Sequence, residues 1–414
     1  MRKRWILWVI LWGVSSGLYA QTKITKQALL EAMRRGSVYT TQVLLDEQGK
    51  AKGDYDLLQA TWTDYEAMWH TGQLIGGLLA VYEVTKEPTL LEKARQAGDW
   101  WIAQQMQSPA KMKGMLRAVH GASVGDYINV TTITDGTPPI FQLANVTKDK
   151  RYARVCQEAG DWLLTHTYIE EEGLFYNIID PTTGEVWKDK SPHAQHQKEE
   201  VTLKMVARPN VEGYLFKDLY AFTGKKRYKE VFLNQCETLL KTQHENGFWM
   251  DFEPNNPETG YVHPRFNIWN AEALVETYTL TKEKKYLEAA TKTAKGMQKL
   301  MQKNGVIYYK SYTNGKHKTN SATASATAFS GLLWLRLKKL GDNTFDEDIT
   351  KAAQWLLANQ FPSNHPDKNL AGGFIDLRLR QKKGKSSIVF RDIATAFALR
   401  FLAAYYQEMP ITND

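Results

Sequence analysis

The chain is 414 residues long, 43% hydrophobic and 24% charged, with a formal net charge of +8. Its only cysteines, Cys156 and Cys236, fall on segments of amphipathic helical period. That excludes a disulfide scaffold and makes buried free thiols the default, with a bridge between neighbouring helices left open. No run of lysine and arginine is long enough for a nucleic-acid arm, so the modest positive balance points to an acidic small molecule or glycan.

Arg2-Lys3-Arg4 precede a short apolar run, Trp5 to Val14, and then Ser15 to Ala20. This is the pattern of a signal peptide over residues 1–20, with an apolar stretch too short to span a bilayer. The expected mature chain begins near Gln21, is periplasmic or secreted, and has no membrane partner after cleavage. Its oligomeric state is not readable.

From Lys26 onward the chain repeats itself. The helical stretch Lys26 to Arg35 comes first. Apolar segments then recur, ending in the related phrases Val84-Thr85-Lys86-Glu87-Pro88, Val146 to Tyr152, Phe222 to Tyr228, Leu280 to Tyr286 and Leu340 to Phe345. The spacing is roughly sixty to seventy-five residues, above the usual solenoid period but the same kind of signal. Each phrase reads as a tight polar link between two helices. The segments before the links, Leu74–Val84, Ile140–Val146, Val211–Phe222, Ala271–Leu280 and Ala324–Leu337, are apolar nearly all round, as is Ile393–Tyr406. Those after them, Leu90–Gln105, Tyr152–His166, Tyr228–Gln243, Tyr286–Gln302 and Phe345–Gln360, carry lysine and glutamate on one face. Helices apolar all round are buried and one-faced helices lie outside. Short aromatic strands or hairpins, at Gly173–Tyr176, Gly247–Phe252, Gly305–Tyr309 and Gly373–Asp376, each fall between an outer helix and the next inner one. The expectation is a single all-α domain over residues 21–414. It is an (α/α)6 toroid of six helix pairs, whose funnel is floored by inner-helix N-termini and rimmed by aromatic hairpins.

Polar clusters open the inner helices and would converge on the funnel axis. They are Asp64, Glu66, Trp69 and His70; Asp135; Arg208, Asn210 and Glu212; Arg265, Asn267, Trp269 and Asn270; Ser321 to Ser325; and Arg391 with Asp392. A guanidinium fork binds carboxylates at two points, and aromatic faces suit the C–H faces of sugar rings. The blander reading is that arginines and acids of adjacent helices simply pair. Glycoside hydrolysis needs two carboxyl groups, or one acting as acid and base in turn. Asp135 is the first choice, with Glu212, Asp251, Glu66 and Asp392 competing for the second role. Pro138 and Pro139 place the helix start near Thr137, with Asp135 just outside it, where it could equally be a cap. A helix N-terminus lowers a carboxylate pKa whereas a general acid needs it raised, so burial or a second carboxylate has to win. No nucleophile elbow, phosphate loop or dinucleotide fingerprint appears, and no cofactor is expected. His193 and His196 lack a third metal ligand and read as a polar rim loop in reach of substrate, so no metal is expected.

The central segment resembles the unsaturated glucuronyl hydrolases and the related unsaturated rhamnogalacturonyl hydrolases. The resemblance runs from Trp69 to Tyr286. It rests on Ile133-Thr134-Asp135-Gly136, on Thr147 to Tyr152, on Gly173 to Ile179, and on Asp180-Pro181-Thr182-Thr183-Gly184-Glu185-Val186. Looser matches are Arg208-Pro209-Asn210-Val211-Glu212, Asp251-Phe252 and His196-Gln197, or His193 in its place. The resemblance implies an (α/α)6 enzyme in which Asp135 is the acid–base residue. A second family aspartate, on the first inner helix, has no counterpart in Trp69-His70-Thr71-Gly72-Gln73. Removal of a saturated uronic acid is therefore as open as removal of an unsaturated one. The expected activity is a glycoside hydrolase taking a terminal uronic acid from an acidic oligosaccharide. Arg208 and Arg265 would hold the carboxylate, with Trp69, His70 and Trp269 shaping the subsite. A polysaccharide lyase or uronate epimerase is the alternative, and a non-catalytic glycan-binding toroid the third reading.

Overall fold

The computed structural model describes residues 24–121, 127–191, 201–382 and 385–410. The proposed signal segment and the loop carrying His193 and His196 lie outside them. Among the described residues twelve long helices form, and we number them in chain order. They are α1 (Lys26–Tyr39), α2 (Ala67–Thr85), α3 (Pro88–Ile102), α4 (Val130–Thr147), α5 (Lys150–His166) and α6 (Leu215–Thr223). They continue as α7 (Lys226–Thr242), α8 (Pro264–Thr281), α9 (Lys284–Leu300), α10 (Ala324–Lys339), α11 (Asp346–Ala358) and α12 (Ile393–Glu408). Even-numbered helices touch in sequence and the ring closes where α12 meets α2, with the turn 212–214 carrying the α6–α8 contact. This is the (α/α)6 toroid, with the odd-numbered helices outside. Among the described residues no helix is long and apolar enough to cross a membrane.

The links between paired helices have a local cause. Lys86, Lys148, Gly224 and Lys282 stand at the C-caps of α2, α4, α6 and α8 with φ of 57°, 61°, 72° and 63°. A left-handed residue there ends the helix and lets the next one start within a few residues. Outer helices then bury one stripe. In α5 it is Tyr152, Ala153, Cys156, Ala159, Trp162 and Leu163. Cys156 and Cys236 are both buried and free.

Several expected boundaries move, that of α2 among them, which begins at Ala67 rather than Leu74. Helix α4 starts at Val130, where the Asn129 side chain accepts the Thr131 N–H at 3.0 Å, so Asp135 lies in its second turn and both prolines lie inside it. Prolines at 138 and 139 deprive the carbonyls of Thr134 and Asp135 of their helical donors. Thr137 Oγ1 donates to the first at 2.8 Å and Gln73 Nε2 to the second at 3.0 Å, which is how the helix survives. Helix α8 likewise begins early, at Pro264, so Arg265, Asn267, Trp269 and Asn270 lie within it. Helix α6 starts late, after a tight turn in which Gly213 has a φ of 76°. A Cβ at Gly213 would run into the Thr134 carbonyl, so only glycine lets this turn press Glu212 against α4. The Gly247–Phe252 stretch is a turn rather than a strand.

Short strands gather at the end where the inner helices begin. The largest sheet joins β1 (Asp54–Asp56), β2 (Thr61–Thr63), β3 (Leu377–Lys382) and β4 (Lys385–Arg391), in the order β3-β4-β1-β2. It pairs Asp54 with Arg391 across β1 and β4. Residues 307–308 pair with 322–323, and 311–312 with 261–262. These pairings bring Tyr309, His263 and Arg378 to one wall of the funnel.

Candidate active site

The funnel ends in a cavity of about 340 Å³ lined by residues of all six hairpins, among them Glu66, Trp69, Asp135, Arg208, Arg265 and Tyr309. A smaller cavity of about 140 Å³ lies behind Asp135, toward the toroid interior, and is bordered by Gln73, Glu272 and Arg400. Asp135 therefore forms the partition between the two. It is only 3% exposed, and Trp69 Nε1 donates to its Oδ2.

Burial decides the state of this acid. Desolvation raises its pKa to about 8, against the lowering effects of the Trp69 hydrogen bond and Arg400 and with some help from Glu212. The ionised form loses its water and gains too little in exchange. Asp135 thus holds its proton at neutral pH and can donate it. Glu212, from the turn before α6, is also pushed up by burial despite Arg208. Neither of its carboxylate oxygens has a hydrogen-bond partner among the described residues.

Other lining residues of the cavity carry surplus positive charge. Arg265 donates from Nη1 to Ser325 Oγ at 2.8 Å, and Ser325 in turn donates to Asp376 at 2.6 Å. Its Nε has no partner among the described residues, and burial together with Arg391 and Arg378 lowers its pKa to about 10, against Tyr309 and Asp376. Arg378 lies 4.0 Å from the ring centre of Tyr309, with Nε and Nη2 also unpartnered among the described residues. Arg208 is buried on the same cavity, its pKa lowered by desolvation. A buried guanidinium with no direct carboxylate partner among the described residues, as at Arg265, is costly, and with Arg378 and Arg208 on the same cavity it makes a wall suited to an anion.

Arg391 is differently placed. It donates from Nε to Asp54 at 2.9 Å and from Nη2 to Glu66 at 3.4 Å and to His70 Nε2 at 2.8 Å. Since a guanidinium cannot accept, His70 Nε2 must be the unprotonated nitrogen, and Nδ1–H faces Asp392 at 2.6 Å. Asp54, His70 and Asp392 form the one group among the described residues spaced for a metal, with polar atoms within 4.8 Å. Arg391 already serves two of these three, so a cation there would meet a guanidinium. Glu66 caps α2 with a φ of 49° and touches His120 through Oε1. Burial opposes its ionisation, but His120 and Arg391 prevail and hold its pKa far below the ordinary range.

The remaining sequence candidates separate. Trp69 and Trp269 line the cavity, with ring centres 6.2 Å apart. His70 sits behind Trp69, fully buried, as a support for Arg391 rather than a wall of the subsite. Asn210 and Asn267 are consumed by the fold. Asn210 Oδ1 accepts from Thr131 at 2.7 Å, and Asn267 bonds Trp249 N at 3.0 Å and Asn255 at 3.0 Å. Asp251 leaves the set of candidate catalytic acids. Its side chain is 34% exposed and paired with Lys204 at 2.6 Å and His244 at 3.0 Å, away from the cavity. Tyr65, His120, His263, Tyr309 and Arg378 also line the cavity and were not singled out by the sequence. His263 had a readable signal: it stands directly before Pro264 and caps α8 by accepting the Phe266 N–H at 3.1 Å.

Comparison with known proteins agrees with this architecture. Residues 52–247, somewhat under half of the chain, match the model for glycosyl hydrolase family 47. The cellobiose 2-epimerase of Bacillus thermoamylovorans B4167 superposes with a TM-score of 0.70 at 13% identity, over 92% of this chain and 100% of that one. An unsaturated glucuronyl hydrolase specific for heparin gives a TM-score of 0.67 at 12% identity, over 92% and 98%. A D-mannose isomerase gives 0.63 at 13%, over 95% and 100%. The chain has the six-hairpin toroid of the unsaturated glucuronyl hydrolases. No curated protein sequence matches it.

Proposed function

We propose that the protein is an exported glycoside hydrolase that removes a terminal uronic acid from an acidic oligosaccharide. The observation that carries this reading is Asp135, a buried acid whose pKa is raised to about 8, on the floor of a sugar-sized cavity also lined by Arg208, Arg265, Arg378 and Arg391. A protonated carboxyl can pass its proton to a glycosidic oxygen as the bond breaks. Arg265 and Arg208 supply forks for the uronate carboxylate, and Trp69 and Trp269 supply flat faces for the ring. The solved hydrolase of similar fold, specific for heparin, supports a carbohydrate chemistry of this kind.

A second reading is favoured by His263 and Tyr309, whose Nε2 and hydroxyl lie 2.9 Å apart beside Arg265 and Arg378. A phenolate next to a pinned carboxylate could instead take a proton from the adjoining carbon, as a lyase or epimerase does. Incubation with uronate-terminated oligosaccharides, followed by product masses, separates the two. A gain of one water supports hydrolysis. Cleavage without added water means elimination, and an unchanged mass with altered stereochemistry means epimerisation.

A further inference from the structure

We infer that Tyr309 is the proton acceptor of the site, taking a proton from the water that attacks the anomeric carbon while Asp135 protonates the departing oxygen. The inference rests on the hydrolytic reading and supplies the base which that reading lacks.

Elimination among the groups around the cavity leads to it. Asp135 already holds a proton, and burial, with no hydrogen-bond donor on either oxygen among the described residues, shifts Glu212 toward its neutral form. Glu66 is ionised, but His120 and Arg391 occupy its two oxygens and strip it of basicity. His70 is locked between Asp392 and Arg391. His263 spends Nδ1 on the Phe266 N–H, which leaves Nε2–H as a donor toward the Tyr309 oxygen at 2.9 Å. Its own protonation is opposed by burial and by Arg265, Arg378, Arg208 and Arg391.

The cations and hydrogen-bond donors around Tyr309 favour its phenolate. Arg378, from β3, stacks 4.0 Å from the ring centre, and Arg265, from α8, lies 5.4 Å from it. His263 donates from the cap of α8, and a hydrogen bond from Tyr261 adds to it. Burial works against ionisation, yet Arg378, Arg265 and Arg391 outweigh it and bring the phenol below its ordinary value. Tyr261, the donor, is pushed the opposite way, first by burial and then by Tyr309 itself.

The step balances. The glycosidic C–O bond breaks with its electron pair going to the leaving sugar's oxygen, which takes the Asp135 proton. The water oxygen bonds to the anomeric carbon and releases one proton to the Tyr309 phenolate. Asp135 ends as carboxylate and Tyr309 as phenol, and exchange with solvent restores both.

The test compares Tyr309→Phe, Arg378→Met and Asp135→Asn with the wild-type chain on a uronate-terminated oligosaccharide. Expected for Tyr309→Phe is a loss of about 10²–10⁴-fold in kcat with KM retained, the usual worth of a positioned base. Its absorbance titration should lack one tyrosine that ionises before the bulk of the others. Arg378→Met keeps the base but removes a cation, so the acidic limb of its pH–rate profile should move to higher pH. A Tyr309→Phe protein with wild-type kcat, beside an inactive Asp135→Asn, overturns the assignment and leaves the hydrolase reading standing. If both variants are fully active, the function itself is wrong. Tyr309-dependent formation of an unsaturated product overturns the water-activating role, because the proton then comes from a sugar carbon.

Discussion

Trp69 Nε1 donates its hydrogen to Asp135 Oδ2, tying the first turn of α2 to the second turn of α4 across the floor of the cavity. The indole stabilises the ionised carboxylate, and burial overrides it. An acid must be protonated to act, so activity should fall as pH rises through about 8. Trp69→Phe removes the one hydrogen bond that lowers this pKa. The alkaline limb should then shift to higher pH, measured as kcat against pH. A limb that stays put or moves down would show that Asp135 does not set it.

The same shift makes a stability prediction. Asp135 is raised above its unfolded value, so its contribution to stability is complete at low pH and is lost as pH climbs toward about 8. Asparagine carries no such liability. Thermal midpoints of Asp135→Asn and wild type should therefore nearly coincide near pH 4 and diverge in the variant's favour by pH 8, while kcat falls by about 10²–10⁴-fold.

Much of the ring was legible because it follows from local rules. The recurring link phrases coincide with the left-handed caps at Lys86, Lys148, Gly224 and Lys282, and apolar period sorted inner from outer helices correctly. Helix starts were harder. Two prolines in α4 looked like a beginning because the donors that rescue them, Thr137 and Gln73, are invisible without the neighbouring helix. The site was half legible for a similar reason. Asp135, Arg208, Arg265 and the two tryptophans sit on or beside inner helices, whereas Tyr309 and Arg378 arrive through strand pairings that no periodicity announces.

Arg265 should serve binding more than stability. It is 3% exposed and has Ser325 as its hydrogen-bonded partner, with no direct ion pair among the described residues. A hydrogen bond to a charged group contributes about 1.5–3 kcal/mol. Arg265→Met should accordingly raise KM for a uronate-terminated substrate by roughly ten- to a hundred-fold, with less effect on a neutral sugar of the same size. Burial opposes its charge and Tyr309 and Asp376 compensate it without a direct ion pair, so the thermal midpoint should change little. A variant that loses stability but not uronate selectivity would assign Arg265 to the scaffold.

Arg391 should behave in the opposite way, because it is fully committed to Asp54, Glu66 and His70. Arg391→Met leaves two buried carboxylates and a histidine nitrogen without their shared donor. Breaking a buried ion pair from one side costs about 3–5 kcal/mol, so a large drop in thermal midpoint is expected. Glu66 and Asp54 are both held ionised against burial with the help of this guanidinium. Without it their pKa values should climb toward and past the ordinary carboxylate range. In wild type the network's stabilisation is present above the unfolded carboxylate values and is lost as pH falls through the lowered folded ones. The variant's deficit should therefore be largest at neutral pH and shrink as both carboxylates protonate. Denaturant melts at neutral and acidic pH measure that convergence, and a deficit independent of pH would show that Arg391 stabilises by packing on Trp69 and Tyr65 rather than by charge.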